Sequence, residues 1–235
     1  MKALLTNLPQ IIPTLCHGDN RMLSEWITQS PRKMLSVTIP LIIIGCASYG
    51  LTMGLWQGWE MASYVAIKLP LLIFLTLLVN GLINGLLAQV LGSGVTMRQS
   101  VQFLLTGFAI MATILGSLSP ITLGIALQAP SPNSPDAESF HATILLVHTG
   151  IIAYAGIISH LSLLKFLRHF ANTKPAGTTT FFAWILGNLF VGAQLSWVLR
   201  PFFGSPSTNT EFLRENPMQG TFYEVIWNSF LKIIS

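Results

Sequence analysis

The sequence predicts an all-α protein, a polytopic transmembrane bundle of five helices with an amphipathic interfacial helix at each end. Three observations carry that prediction. Five long apolar runs are separated by short polar stretches, and an α-helix needs about 20 such residues to cross a hydrocarbon core about 30 Å thick. Hydrophobic residues make up 51% of the 235 and charged residues only 9%, against roughly a quarter charged in a soluble domain; mean hydropathy is +0.63. Finally, the twelve basic and eight acidic residues lie almost entirely outside the apolar runs, because a charge at the bilayer centre costs about 2.5 to 3.5 kcal/mol on insertion scales.

Residues 1–33 read as a cytoplasmic amphipathic segment. Pro9 and Pro13 interrupt its short apolar start and no small-residue cleavage site follows, so the segment is expected to be retained. Within it, RMLSEWITQ (21–29) places Met22, Leu23, Trp26 and Ile27 on one helical face and Arg21, Ser24, Glu25 and Thr28 on the other, with Asp19 or Asn20 as the N-cap. That helix lies either in the interface, with Trp26 anchored at headgroup depth, or against the protein's own cytoplasmic surface.

Residues 34–200 form the bundle, with spans at about Ser36–Trp56, Val65–Leu91, Val101–Leu127, Ala142–Phe166 and Thr179–Leu199. Spans 2 and 3 exceed the required length and are expected to tilt, or to kink at Pro70 and Pro120. Residues 201–235 continue as an exoplasmic loop, rich in Pro, Gly and Ser, and then as TFYEVIWNSFLKIIS, too short to cross and read as an interfacial or re-entrant helix. With five spans, one side of the membrane holds Lys2, Arg21, Arg32, Lys33, Arg98, Lys165, Arg168 and Lys174, and the other holds Lys68, Arg200, Arg214 and Lys232. The positive-inside bias makes the N-terminus cytoplasmic. The net charge of +4 fits this loop bias and not nucleic-acid binding, since no basic run is long enough to track a phosphate backbone.

Helices in lipid associate through small residues and buried polar groups. Gly50 and Gly54 stand four apart in span 1, and Gly81 and Gly85 in span 2. Thr76, Asn80 and Asn84 follow one another at i+4 in span 2, while span 5 carries Asn188 with Gln194 on another face. These amides either join helices or line a hydrated path; the spans hold no central carboxylate of the kind that marks ion routes. Lys68 sits inside span 2 near its exoplasmic end, free to snorkel outward or to pair with Glu60. Trp197 and Arg200 form a second interfacial anchor, a lipid or partner contact, with Glu211 and Glu215 as possible mates for Arg200.

Catalytic and cofactor chemistry finds little support. His148 and His160 both lie in span 4, so a bis-His haem lacks an axial ligand on a second span of the same chain, and only a symmetric oligomer could pair His148 or His160 across chains; His160 is expected to bond a backbone carbonyl or an Asn. The GSG at 92–94 reads as a turn between antiparallel helices, because Ser93 and His148 fall at different depths. Phosphate loops and metal-ligand clusters are absent from the sequence, two cysteines, Cys16 and Cys46, are too few for a disulfide framework, and no cofactor or metal is expected.

A cytoplasmic segment followed by five closely spaced spans, the last ending in LSWVLRPFFGSP, resembles the Yip1-type membrane proteins and a broader group of bacterial multi-span proteins. The likeness covers about Ser36 to Pro206 in pattern and carries over no functional residues. It implies a non-enzymatic scaffold or subunit in a bacterial inner membrane, oligomeric with itself or with other membrane subunits. A small channel or transporter, with the Asn/Thr stripe lining its path, is the alternative.

Overall fold

A computed structural model describes residues 31–204, 210–221 and 223–224. The expected N-terminal interfacial helix with Trp26, and most of the C-terminal one, lie outside the described residues. Five α-helices account for the rest of the architecture: α1 (Pro31–Gly54), α2 (Trp59–Val90), α3 (Met97–Leu127), α4 (Ala137–Phe170) and α5 (Lys174–Val198), with a 3-10 turn, Leu55–Gln57, closing α1. All five are long and apolar enough to cross a membrane, and the chain is an all-helical membrane protein.

All five helices start before the apolar runs. α2 begins at Trp59 and α4 at Ala137, each several residues before its run, because those flanking residues tolerate helix and extend it out of the apolar slab. At 32 residues α2 is about 48 Å long, well over the hydrocarbon thickness. Neither proline breaks its helix: α2 passes through Pro70 and α3 through Pro120. Pro120 has no N–H for the carbonyl four residues back. The Ser119 hydroxyl donates to that same Gly116 oxygen at 2.7 Å and fills the vacancy.

Capping fixes the helix starts. Thr96 and Gln99 form a reciprocal capping box at α3, with Gln99 N donating to Thr96 Oγ1 at 3.3 Å and Thr96 N to Gln99 Oε1 at 2.9 Å. Thr173 Oγ1 accepts from Ala176 N to open α5. The GSG turn behaves as its glycines predict: Gly92 and Gly94 take φ of 64° and 78°, and buried Ser93 donates to Ala88 O at 2.8 Å, closing α2. The α4–α5 turn clasps this one, since Asn172 N donates to Ser93 O at 2.8 Å and Asn172 Nδ2 to Gly92 O at 3.4 Å.

α1 packs against both α2 and α3; α3 then meets α4, α4 meets α5, and α5 returns to α2. Small residues set the closest approaches. A Cβ on Gly45 would collide with the Ala112 carbonyl, and Gly116 lies over the Gly45 backbone, so α1 and α3 touch main chain to main chain. Gly50 and Gly54 do the same for α1 on α2, facing the carbonyls of Val65 and Met61, and Gly85 admits Met97. The glycine pairs seen in the sequence therefore close the bundle from inside. Its core holds Ile42, Cys46, Val65, Phe103, Ile110 and Phe166, and the outer surface bears Ile44, Leu78, Leu82, Leu86, Leu186 and Phe190, the apolar exterior expected where the solvent is lipid.

Candidate functional site

The i+4 stripe of α2 points inward. Thr76, Asn80 and Asn84 are all buried, and on α5 Asn188 is buried as well. The antiparallel run of α5 brings Asn84 Nδ2 to donate to Asn188 Oδ1 at 3.0 Å. One turn earlier, Trp184 Nε1 donates to the Asn84 main-chain carbonyl at 2.8 Å. The two helices are thus joined by a side-chain bond and by a tryptophan that reads the backbone. Asn80 differs: both its amide atoms are buried without a partner, as are Asn84 Oδ1 and, on α5, Thr180 Oγ1. An amide left unpaired in an apolar medium costs several kcal/mol, so this level of the bundle has polar capacity left to fill. Gln194 is half-buried and six residues beyond Asn188, on a different face of α5.

A second polar layer lies nearer the other end of α2. Tyr49 Oη and His148 Nδ1 are 2.7 Å apart, with their rings edge to face at 5.3 Å, and both residues are fully enclosed. Thr52 and Thr122 share a 2.6 Å bond between α1 and α3, and Trp56 Nε1 donates to Pro130 O at 2.9 Å. His148 Nε2 is buried with no partner and faces the Phe203 ring at 5.3 Å. His160 turns to its own helix, its Nδ1 2.7 Å from Gly156 O, as expected from sequence. Farther along α4, Ser159 donates to Gly107 O on α3 at 2.7 Å.

Lys68 neither snorkels nor pairs with Glu60. Its side chain is 0% exposed, and its Nζ donates to the carbonyl of Pro201, just past α5, at 2.7 Å. The rings of Phe202 and Phe212 stand 5.9 and 5.0 Å from the ammonium. Glu60 is exposed and accepts instead from Tyr64 Oη at 3.0 Å, while the Tyr64 ring packs edge-on against Phe212 at 5.3 Å. Tyr64 and Phe212 thus stand where a Lys68–Glu60 pair would form.

Trp197 and Arg200 act together, but on the chain's own backbone. The guanidinium lies 3.6 Å from the Trp197 ring centroid; Nη1 donates to the carbonyls of Trp197 at 2.9 Å and Pro217 at 3.1 Å, and Nη2 to Gln219 O at 3.1 Å. Trp197 Nε1 reaches the same Gln219 carbonyl at 2.9 Å. Backbone carbonyls, rather than Glu211 or Glu215, occupy those nitrogens. Burial, and then the like charge of Arg214, lowers the guanidinium's affinity for its proton; an arginine nevertheless stays charged at physiological pH.

Reasoning from sequence named Asn84, Asn188, His148, Lys68, Arg200 and the exit at Pro201, but missed Tyr49, Thr52 and Trp184 and did not place Pro201–Gly204 over Lys68 and His148. Trp184 left a usable signal, an indole N–H in mid-span that must find an acceptor. No family model matches the chain, nor does any curated protein or solved structure.

Proposed function

We propose that the protein is a non-catalytic membrane scaffold or subunit of a membrane complex, in keeping with the Yip1-like layout of its sequence. The observation that carries this reading is the use made of its polar side chains. Asn84–Asn188, Trp184 to the Asn84 carbonyl, Ser159 to the Gly107 carbonyl, Thr52–Thr122 and Tyr49–His148 all run from one helix to another. Such bonds brace a rigid body whose working surface is its exterior. On that exterior α5 is the most peripheral span: 11% of its most apolar stretch is buried, against 39% for α2. On α4, Gly150 and Ala153 are exposed, and a side chain added at Gly150 would meet nothing, leaving room for a second helix to come close.

The proposed setting is a bacterial inner membrane with the N-terminus cytoplasmic, as the distribution of Lys and Arg favours. The test is the mass of the full chain in nanodiscs. An oligomer that Gly150→Leu dissociates supports the reading, and a strict monomer that stays alone through purification refutes it.

A second reading, a small channel or transporter, is favoured by the buried, unpartnered amide of Asn80 beside Asn84. Reconstituted liposomes would then pass a small solute or ion, and Asn84→Leu would reduce the flux. Flux unchanged by that substitution counts against it.

A further inference from the structure

The layer around Lys68 contains two buried donors with unmet capacity, contributed by different helices and covered by one short segment. An ammonium has three N–H groups; the Pro201 carbonyl takes one, and two aromatic rings face the remainder. Among the described residues Lys68 has no carboxylate partner, and Glu60 is held by Tyr64. On α4, His148 Nδ1 is the hydrogen-bond partner of the Tyr49 hydroxyl of α1. A phenol that donates there leaves the imidazole proton on Nε2, and that atom is buried with nothing to receive its hydrogen bond.

The two donors share a level in the bundle. Gly50 of α1 abuts Val65 and Leu69 of α2, which bracket Lys68, and its neighbour Tyr49 reaches His148. Over this level runs the chain leaving α5: Phe202 lies by Lys68 and the adjacent Phe203 by His148. Pro201 and Gly204 are buried in the same cover. A buried cation without a counter-ion is among the costliest arrangements in a membrane protein, and aromatic faces compensate it only in part.

We infer that the layer beneath Pro201–Gly204 is a binding site for a phosphate-bearing anion, with Lys68 as the charge and His148 Nε2–H as the second donor. The anion takes the place that the Pro201 carbonyl holds at Nζ, and Phe202, Phe203 and Phe212 form its apolar surround. Lysine binds phosphate as a point charge and needs no planar fork, which suits an approach between rings. The position, near one membrane edge and walled by aromatic side chains, fits a phosphate attached to acyl chains as well as a free one.

Native mass spectrometry of the full chain in neutral detergent tests this, with phosphatidylglycerol, phosphatidylcholine and inorganic phosphate as separate probes. A hydrogen-bonded charge pair corresponds to about tenfold or more in affinity. The wild type should therefore retain phosphatidylglycerol at least about tenfold more tightly than phosphatidylcholine. Lys68→Met should remove that preference, Lys68→Arg should keep it, and His148→Phe should weaken it. Binding of inorganic phosphate without any lipid preference, again lost in Lys68→Met, assigns the site to the free anion. Failure of the wild type to bind either probe, or binding unchanged by Lys68→Met, overturns the proposal and leaves Lys68 as a latch for the exit segment. Should Lys68→Met not fold, amine labelling of wild-type Lys68, read by peptide mass spectrometry, decides. Labelling slowed by phosphatidylglycerol or phosphate supports the site, and labelling unaffected by both refutes it.

Discussion

Replacing Gly45 with alanine adds a single methyl group, and two opposing effects set the sign of the result. Alanine is the better helix former by about 1 kcal/mol, so a helical glycine with free space around it gains from the change. Gly45 has no such space: its new Cβ would collide with the carbonyl oxygen and carbon of Ala112, and Gly116 stands against its own backbone. These are main-chain atoms of a packed helix, with no flexible end to swing aside, so α1 and α3 must separate. Overpacking of that kind costs about 1 to 3 kcal/mol. Separating the helices also stretches the Thr52–Thr122 bond, 2.6 Å long and seven residues farther along α1. The expected outcome for Gly45→Ala is a net loss of about 1 to 2 kcal/mol after the propensity gain. The control is Gly124→Ala on α3, where the added Cβ meets nothing within 4 Å, and stability should be unchanged or higher. Both are read from reversible unfolding in mixed micelles on titration with sodium dodecyl sulfate. If Gly45→Ala proves as stable as Gly124→Ala, α1 and α3 are not in backbone contact and the packing argument fails.

Asn188→Ala and Asn84→Ala, singly and together, should give a coupling of about 0.6 kcal/mol, the average for side-chain bonds between membrane helices, and at most about 1.7 kcal/mol; additive effects in the same unfolding assay would mean the two amides do not meet. Tyr49→Phe should cost about 1 to 3 kcal/mol, because it leaves His148 Nδ1 buried and unpaired. Adding His148→Leu should recover part of that loss, and a double variant worse than the sum of its parts would show the pair is not a self-contained unit.

The five crossings are legible in the sequence because lipid imposes a length and a polarity on each, and both can be counted. Their ends are less so. Trp59–Tyr64 and Ala137–His141 carry polar and aromatic residues that hydropathy assigns to loops, yet nothing in them opposes helix, and the structure keeps them helical. The stripe Thr76–Asn80–Asn84 was visible because i+4 spacing in a helix is a spatial fact. Its partner Asn188 could be named as a polar residue but not assigned to Asn84, since hydropathy carries no information on which helices are neighbours. The same gap hid Tyr49, which reads as an ordinary apolar-run aromatic until α4 is placed beside it. Lys68 illustrates the limit most sharply. Its charge was conspicuous, but the local choices, water or Glu60, both failed against a carbonyl 133 residues away.

The clasp between the two turns bears on how the chain tolerates being cut. Asn172 holds Ser93 and Gly92 at one end of the bundle, while residues 128–136, the only covalent link between the α2–α3 and α4–α5 hairpins, run across the opposite end. The hairpins are therefore tied at both ends, once by peptide bonds and once by hydrogen bonds. A nick at the exposed Ser131 or Asn133 removes the covalent tie alone. The two fragments would still share Ser159–Gly107, Asn84–Asn188 and the Asn172 clasp, which makes that loop the natural junction for a protein expressed in two pieces.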